Sequence, residues 1–229
     1  MFKGSGVARI VILVAAIMVL SAPAQAAMWV GAEVGGNFIG NVDVNFGAVK
    51  LKNVRVDPTV IGGLTVGYDF VNSGFGGRNY PDWMKYFHVV ADFTYNRLTI
   101  AGQSVTANIV GAAPLSIRTS RLDGYLAALA FGVLGHYPFF NGMVNPYVGV
   151  GPAILWSDLD SGNLNQGNAS STSLAFFTEA GIRWVALQNV TIDTSYRFRW
   201  ARPTYEFNGT GLGYQAYSHS FLVRVNYHF

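Results

Sequence analysis

Four histidines, His88, His136, His219 and His228, are the first residues in this chain that invite a chemical reading. Metal sites draw their ligands from short recurring spacings, and no such spacing is present here. The four read as isolated strand or rim residues. Ser218-His219-Ser220 is the one place where a nucleophile adjoins a base, as lipid hydrolysis would need. Adjacent residues of a strand point to opposite faces, so His219 and Ser220 cannot meet in one site. The glycines around Gly211 lack the preceding strand and following helix of a phosphate cradle, and read as the tip of a flexible loop. No catalytic residue, metal ligand or cofactor is expected.

The charged residues make a clearer pattern. Asp69, Asp92, Glu179, Arg183, Asp193, Arg197 and Arg224 each fall on the polar side of an alternating segment. Carboxylates so placed are general acid–base candidates. Arginines in comparable number favour pairing instead, because a buried charge left alone costs several kcal/mol. The sequence does not assign the pairs; Asp193 with Arg183 or Arg224, on neighbouring segments, are candidates.

These ions need elements that hold them on one face. The final stretch shows the pattern best: Tyr217, His219, Phe221, Val223, Val225, Tyr227 and Phe229 alternate with Ser218, Ser220, Leu222, Arg224, Asn226 and His228. A period of two is a strand, and about ten such residues cross a bilayer when tilted. About eight strands follow one another: 28–38, 59–70, 83–97, 121–137, 145–157, 172–187, 190–200 and the last. The fourth is ambiguous, since Leu126, Ala128, Ala130 and Leu134 make its second face apolar too, and a helix stays open there. Tyr137-Pro138 and Asn141-Gly142 favour a strand closed by a turn. Long connections after strands one, three, five and seven alternate with tighter ones. The segment from Leu98 to Ser120 is the longest and unusually apolar; Ile100, Val105, Ile109 and Val110 make it a candidate contact surface.

Composition narrows the class. The chain has 229 residues, 51% hydrophobic and 12% charged. Lys3 and Arg9, the apolar run Ile10 to Leu20, and Ala24-Gln25-Ala26 have the three parts of a secretory signal, expected over residues 1–26 with the barrel over 27–229. Removing it takes two of the 15 basic residues and none of the 12 acidic ones, which leaves near-neutral charge and no case for nucleic-acid binding. No cysteine is present, so neither a disulfide scaffold nor a lipoprotein anchor is expected.

Alternation alone does not say which face is inside. Trp29, Tyr68, Phe87, Tyr137, Trp184 and Tyr227 toward one rim, and Phe38, Tyr95, Trp156, Trp200 and Tyr217 toward the other, form two aromatic girdles around an apolar band. That placement fits lipid outside and ions inside. A strand-built span in lipid must close to satisfy its backbone. The expected fold is all-β, an eight-stranded antiparallel up-and-down transmembrane barrel, its interior just wide enough to be filled by side chains.

Three stretches then carry a resemblance. The last strand ending on Phe229, Pro146-Tyr147-Val148-Gly149-Val150-Gly151, and Asp193 to Phe198 are similar to small Gram-negative outer-membrane barrels of the OmpA-like and opacity-like kind. The resemblance covers the whole chain after the signal. It implies an outer-membrane location with both termini periplasmic, and contact with outer-membrane lipid and lipopolysaccharide. It also implies that Phe221, Val223, Val225, Tyr227 and Phe229 are read by the barrel-insertion machinery. No peptidoglycan-binding domain is expected after the last strand. For function it leaves a structural or surface-interaction protein, which would contact a host surface through its loops. The alternatives are a narrow channel or transporter for small or hydrophobic solutes, and then a lipid-modifying enzyme.

Overall fold

A computed structural model describes residues 28–46, 49–70, 80–109, 111, 113–119, 121–160, 168–207 and 210–229. The expected signal at 1–26 and Val110 lie outside them. Fourteen strands are described, β1(Met28–Ile39), β2(Val42–Phe46), β3(Val49–Val54), β4(Thr59–Asp69), β5(Phe87–Ile100), β6(Ser104–Ile109), β7(Leu115–Arg118), β8(Leu122–His136), β9(Val144–Asp160), β10(Asn168–Leu187), β11(Val190–Ala201), β12(Thr204–Phe207), β13(Thr210–Tyr214) and β14(Ala216–His228). Eight of them close a barrel in the order β1-β14-β11-β10-β9-β8-β5-β4. Every neighbouring pair is antiparallel, and the first strand meets the last over eleven residue pairs from Trp29↔His228 to Ile39↔Ser218.

The barrel strands sit where alternation expects them, with local differences. Residues 82–86, expected to begin a strand at Trp83, form a 3-10 turn, and β5 starts at Phe87. The ambiguous fourth segment is strand β8. Its inward face is apolar because Leu126, Ala128 and Ala130 pack inside the barrel with Leu155 and Phe177. On β14, Phe221, Val223, Val225 and Tyr227 are exposed on the outer wall, as is Phe229 just past its end, while Ser220, Leu222, Arg224 and Asn226 are buried inside.

The remaining six strands form a second sheet, β12-β13-β2-β3-β6-β7, built from three of the long connections. The polar loop expected after β1 and the loop tip expected at Gly211 are strands of this sheet. Val42, Val44, Val54, Val105 and Tyr205 on its inner face, with Val56 just after β3, pack against Leu98, Leu159 and Ala169 of barrel strands. Those three lie on the inward faces of β5, β9 and β10. The sheet is therefore a cap whose apolar core fills the mouth at the loop end of the barrel.

Candidate functional site

The lumen is the site that sequence reasoning pointed to, and register assembles it. Glu33 lies opposite Arg224, Arg224 opposite Asp193, and Asp193 opposite Arg183, so one row across β1, β14, β11 and β10 alternates in charge. Arg224 Nη2 lies 2.6 Å from Glu33 Oε2, and its Nη1 is 3.6 Å from Asp193. Arg183 Nε donates to Asp193 at 3.1 Å. In the next row Arg197 faces Glu179, with Nη2 at 2.7 Å. Arg197 also crosses the lumen to Asp92 on β5 at 3.1 Å and reaches Glu33 at 3.4 Å. Tyr147, from the Pro-Tyr-x-Gly-x-Gly stretch, donates its hydroxyl to Glu179 at 3.0 Å, and Thr65 donates to Asp92 at 3.0 Å.

All seven ions expected inside are brought together, and both pairings proposed for Asp193 are present. Glu33, missed as a member, joins the center of the network; its place on the polar face of the first strand was the available signal. Arg199 was missed too. It lies one layer nearer the loop end, donates to Thr94 at 3.2 Å and has no carboxylate contact among the described residues. At the same level Asn37 accepts from Ser220 at 2.9 Å and from Ser218.

Near the turn end the histidines are less isolated than expected. His88 Nδ1 lies 3.4 Å from His136 Nδ1, while His88 and His228 approach Asp69 at 3.9 and 3.7 Å. Arg183 is 3.5 Å from the same carboxylate. Among the described residues, no group of three or more His, Asp or Glu is arranged to hold a metal ion. Trp29, expected on the outer girdle, is instead fully buried in this layer at 0% exposure. Three features hold it inside: Gly67 leaves the space its ring occupies, Asp69 accepts from Nε1 at 3.4 Å, and the Arg183 guanidinium lies 4.8 Å over the indole. His219 points outward and lies 2.6 Å from the Tyr196 hydroxyl, away from Ser218 and Ser220 in the lumen.

The contact surface expected between Leu98 and Ser120 needs correction. Val105 is buried in the cap core and Ile100 packs against it, because the alternation of β6 turns Val105 and Ala107 inward. Ile109 remains exposed.

The cap carries its own polar contact, the Tyr205 hydroxyl bonded to Ser157 at 2.7 Å and to Tyr214 at 3.3 Å. Burial pushes both phenols above their ordinary range, Tyr214 most strongly. A phenol that holds its proton more tightly when folded contributes stability that is fully present below its unfolded pKa of about 10 and is lost as pH rises past it. Above about pH 10 the cap is expected to open while the barrel stays closed. Tyrosinate absorbance should then show a late cooperative component that Tyr214→Phe removes, with unchanged heat-modifiable gel migration.

Comparison with known proteins bears on this arrangement. The structure is similar to OprG from Pseudomonas aeruginosa, an outer membrane protein, with a TM-score of 0.56 at 14% identity, covering 90% of this chain and 98% of that one. It is also similar to Neisserial surface protein A, with a TM-score of 0.53 at 15% identity, covering 88% of this chain and 97% of that one. At such identities the likeness is one of fold. No curated protein matches the chain. Residues 12–229 match the outer membrane protein beta-barrel domain, and the chain belongs to that family.

Proposed function

We propose that this protein is a non-conducting outer-membrane barrel with a structural or surface-interaction role, which it performs through the cap. The carrying observation is the filled lumen: Arg197 bridges from β11 to Asp92 on β5, and the cap core packs on the inward faces of β5, β9 and β10 above it. The mutual pairing of these buried ions supports a lumen without a continuous aqueous path and argues against a carboxylate left free for turnover. In this reading residues 1–26 are a cleaved signal, both termini are periplasmic, and the cap faces outward among lipopolysaccharide headgroups. The outward residues Phe221, Val223, Val225, Tyr227 and Phe229 are the insertion signal. The partner is a surface outside the cell, met by the cap.

Planar-bilayer recording with purified, folded protein tests this. No steady conductance is expected. Reproducible channels would overturn the proposal.

One observation favours a second reading, transport of a hydrophobic solute. The outer wall carries an apolar groove of about 520 Å³, lined by Val66, Tyr68, Val89, Ala91, Phe131 and Val133 among others. Under that reading, uptake of an apolar dye by protein-containing vesicles falls when Ala91→Trp fills the groove.

A further inference from the structure

The two edges of the cap sheet differ. β12 packs beside β10, with the Thr204 N–H donated to Ser171 Oγ at 3.1 Å, so that edge is covered. The other edge, β7, is the last strand of the sheet. Its hydrogen-bond phase follows from one contact. The Thr119 N–H donates to the Gln103 carbonyl at 2.8 Å, which makes 103 and 119 a bonded pair of the antiparallel ladder. Bonded and non-bonded pairs alternate. With Ser104 opposite Arg118 and Thr106 opposite Ser116, the pairs 105–117 and 107–115 bond β7 to β6. The N–H and C=O groups of Ser116 and Arg118 therefore point away from the sheet.

The side chains along this edge sort by face. Ile117 packs against the cap core, and Leu115, next on the same face, is 56% exposed, with Ile109 38% exposed nearby. The opposite face carries Arg118 and Ser116, with Lys52 in the same cross-strand row as Thr106 and Ser116. Among the described residues, neither Arg118 nor Lys52 makes an ion pair, while Lys50 and Arg121 pair with Asp43 and Asp123.

We infer that β7 is a docking edge for an extended segment of another protein, which adds a seventh strand to the cap. This rests on the surface-interaction reading above. An added strand gains affinity from main-chain bonds and specificity from alternate side chains. Directly opposed side chains on one face lie about 4.5–5.5 Å apart. Complementarity then fixes the partner's pattern: an acidic residue opposite Arg118, an apolar one opposite Ile117, a polar or acidic one opposite Ser116, and an apolar one opposite Leu115. The short length of β7, its cation and the preceding Pro114 discourage indiscriminate edge pairing, which makes an acidic partner the one admitted.

The test uses the full chain in lipid nanodiscs and a fluorescent peptide of alternating Glu and Val, with the Lys and Val counterpart as control. The Glu peptide should bind saturably and protect the Ser116 and Arg118 amides from hydrogen exchange. Arg118→Glu should weaken it roughly tenfold and confer binding of the Lys peptide. Ser116→Pro removes an N–H that β6 does not use, so binding should be lost while heat-modifiable migration is kept. Equal binding of both peptides, protection elsewhere, or indifference to Ser116→Pro would overturn the inference. So would protection of Ser116 in the free chain that disappears on dilution, since the edge would then belong to a second copy. A barrel silent in bilayers that ignores the peptide refutes the docking edge alone. A conducting barrel refutes the surface reading whatever the peptide does.

Discussion

Replacing Arg197 by Met is expected to cost the barrel roughly 3–5 kcal/mol, the usual effect of removing one partner from a buried ion network. Arg197 touches three carboxylates, at 3.1 Å to Asp92, 2.7 Å to Glu179 and 3.4 Å to Glu33. Without it, Arg224 is left as their remaining cation contact, at 2.6 Å to Glu33, 3.4 Å to Glu179 and 3.5 Å to Asp92. These carboxylates are buried, so the uncompensated charge stays out of bulk solvent. Urea titration in lipid, read by heat-modifiable migration, measures the loss. Adding Glu179→Gln to Arg197→Met should recover part of it, because one orphaned charge is gone; the two changes share partners and will not add. A loss below about 1 kcal/mol would mean that the lumen is hydrated enough to treat these ions as surface charges.

Gly35→Val is expected to be at least as damaging, by a different route. Gly35 lies opposite Leu222 in the pairing of β1 with β14, the seam that joins the two ends of the chain. A Cβ at Gly35 would sit 1.9 Å from the Phe221 carbonyl oxygen. That contact is backbone, so no side chain can rotate away. Overpacking typically costs about 1–3 kcal/mol where side chains can shift, and a seam that must open costs more. The expected result is a large fraction that never reaches the closed, heat-modifiable form. Gly62→Ala is the control: it lies on β4, the other neighbour of β1, with its nearest atom 3.7 Å away. It should fold normally.

The barrel was legible in the sequence because membrane strands answer to one local rule, alternation over about ten residues. The inward side of Asp193, Arg183 and Arg224 was legible for the same reason, which made them candidate partners; their pairing came only with the register. The bridge from Arg197 to Asp92 was not legible. It spans the lumen between strands that are not adjacent, and depends on the closure of the whole sheet. Trp29 was placed outside because aromatic rims are expected there, although it shares the parity of Glu33; parity was the stronger rule. The cap left its trace in Val42-Asp43-Val44-Asn45 and in Val54-Arg55-Val56, runs too short to be distinguished from loop. Their valines are buried only because three distant connections converge on one apolar core. That convergence also turned Val105 from a supposed contact residue into a core residue. Polar edge groups on β7 became visible only once the register of β6 and β7 was known.

In the proposed reading, lipid covers one face of each crossing strand while the other face encloses a filled lumen. The chain contains no cysteine, so single substitutions along β14 report one position at a time. Cysteines at 221, 223 and 225 should be quenched by a lipid-phase spin label, while those at 220 and 222 should resist both that label and a water-soluble maleimide. Rapid maleimide labelling at 220 and 222, or silence toward the lipid probe at 221 and 223, would mean that β14 does not divide lipid from a closed lumen.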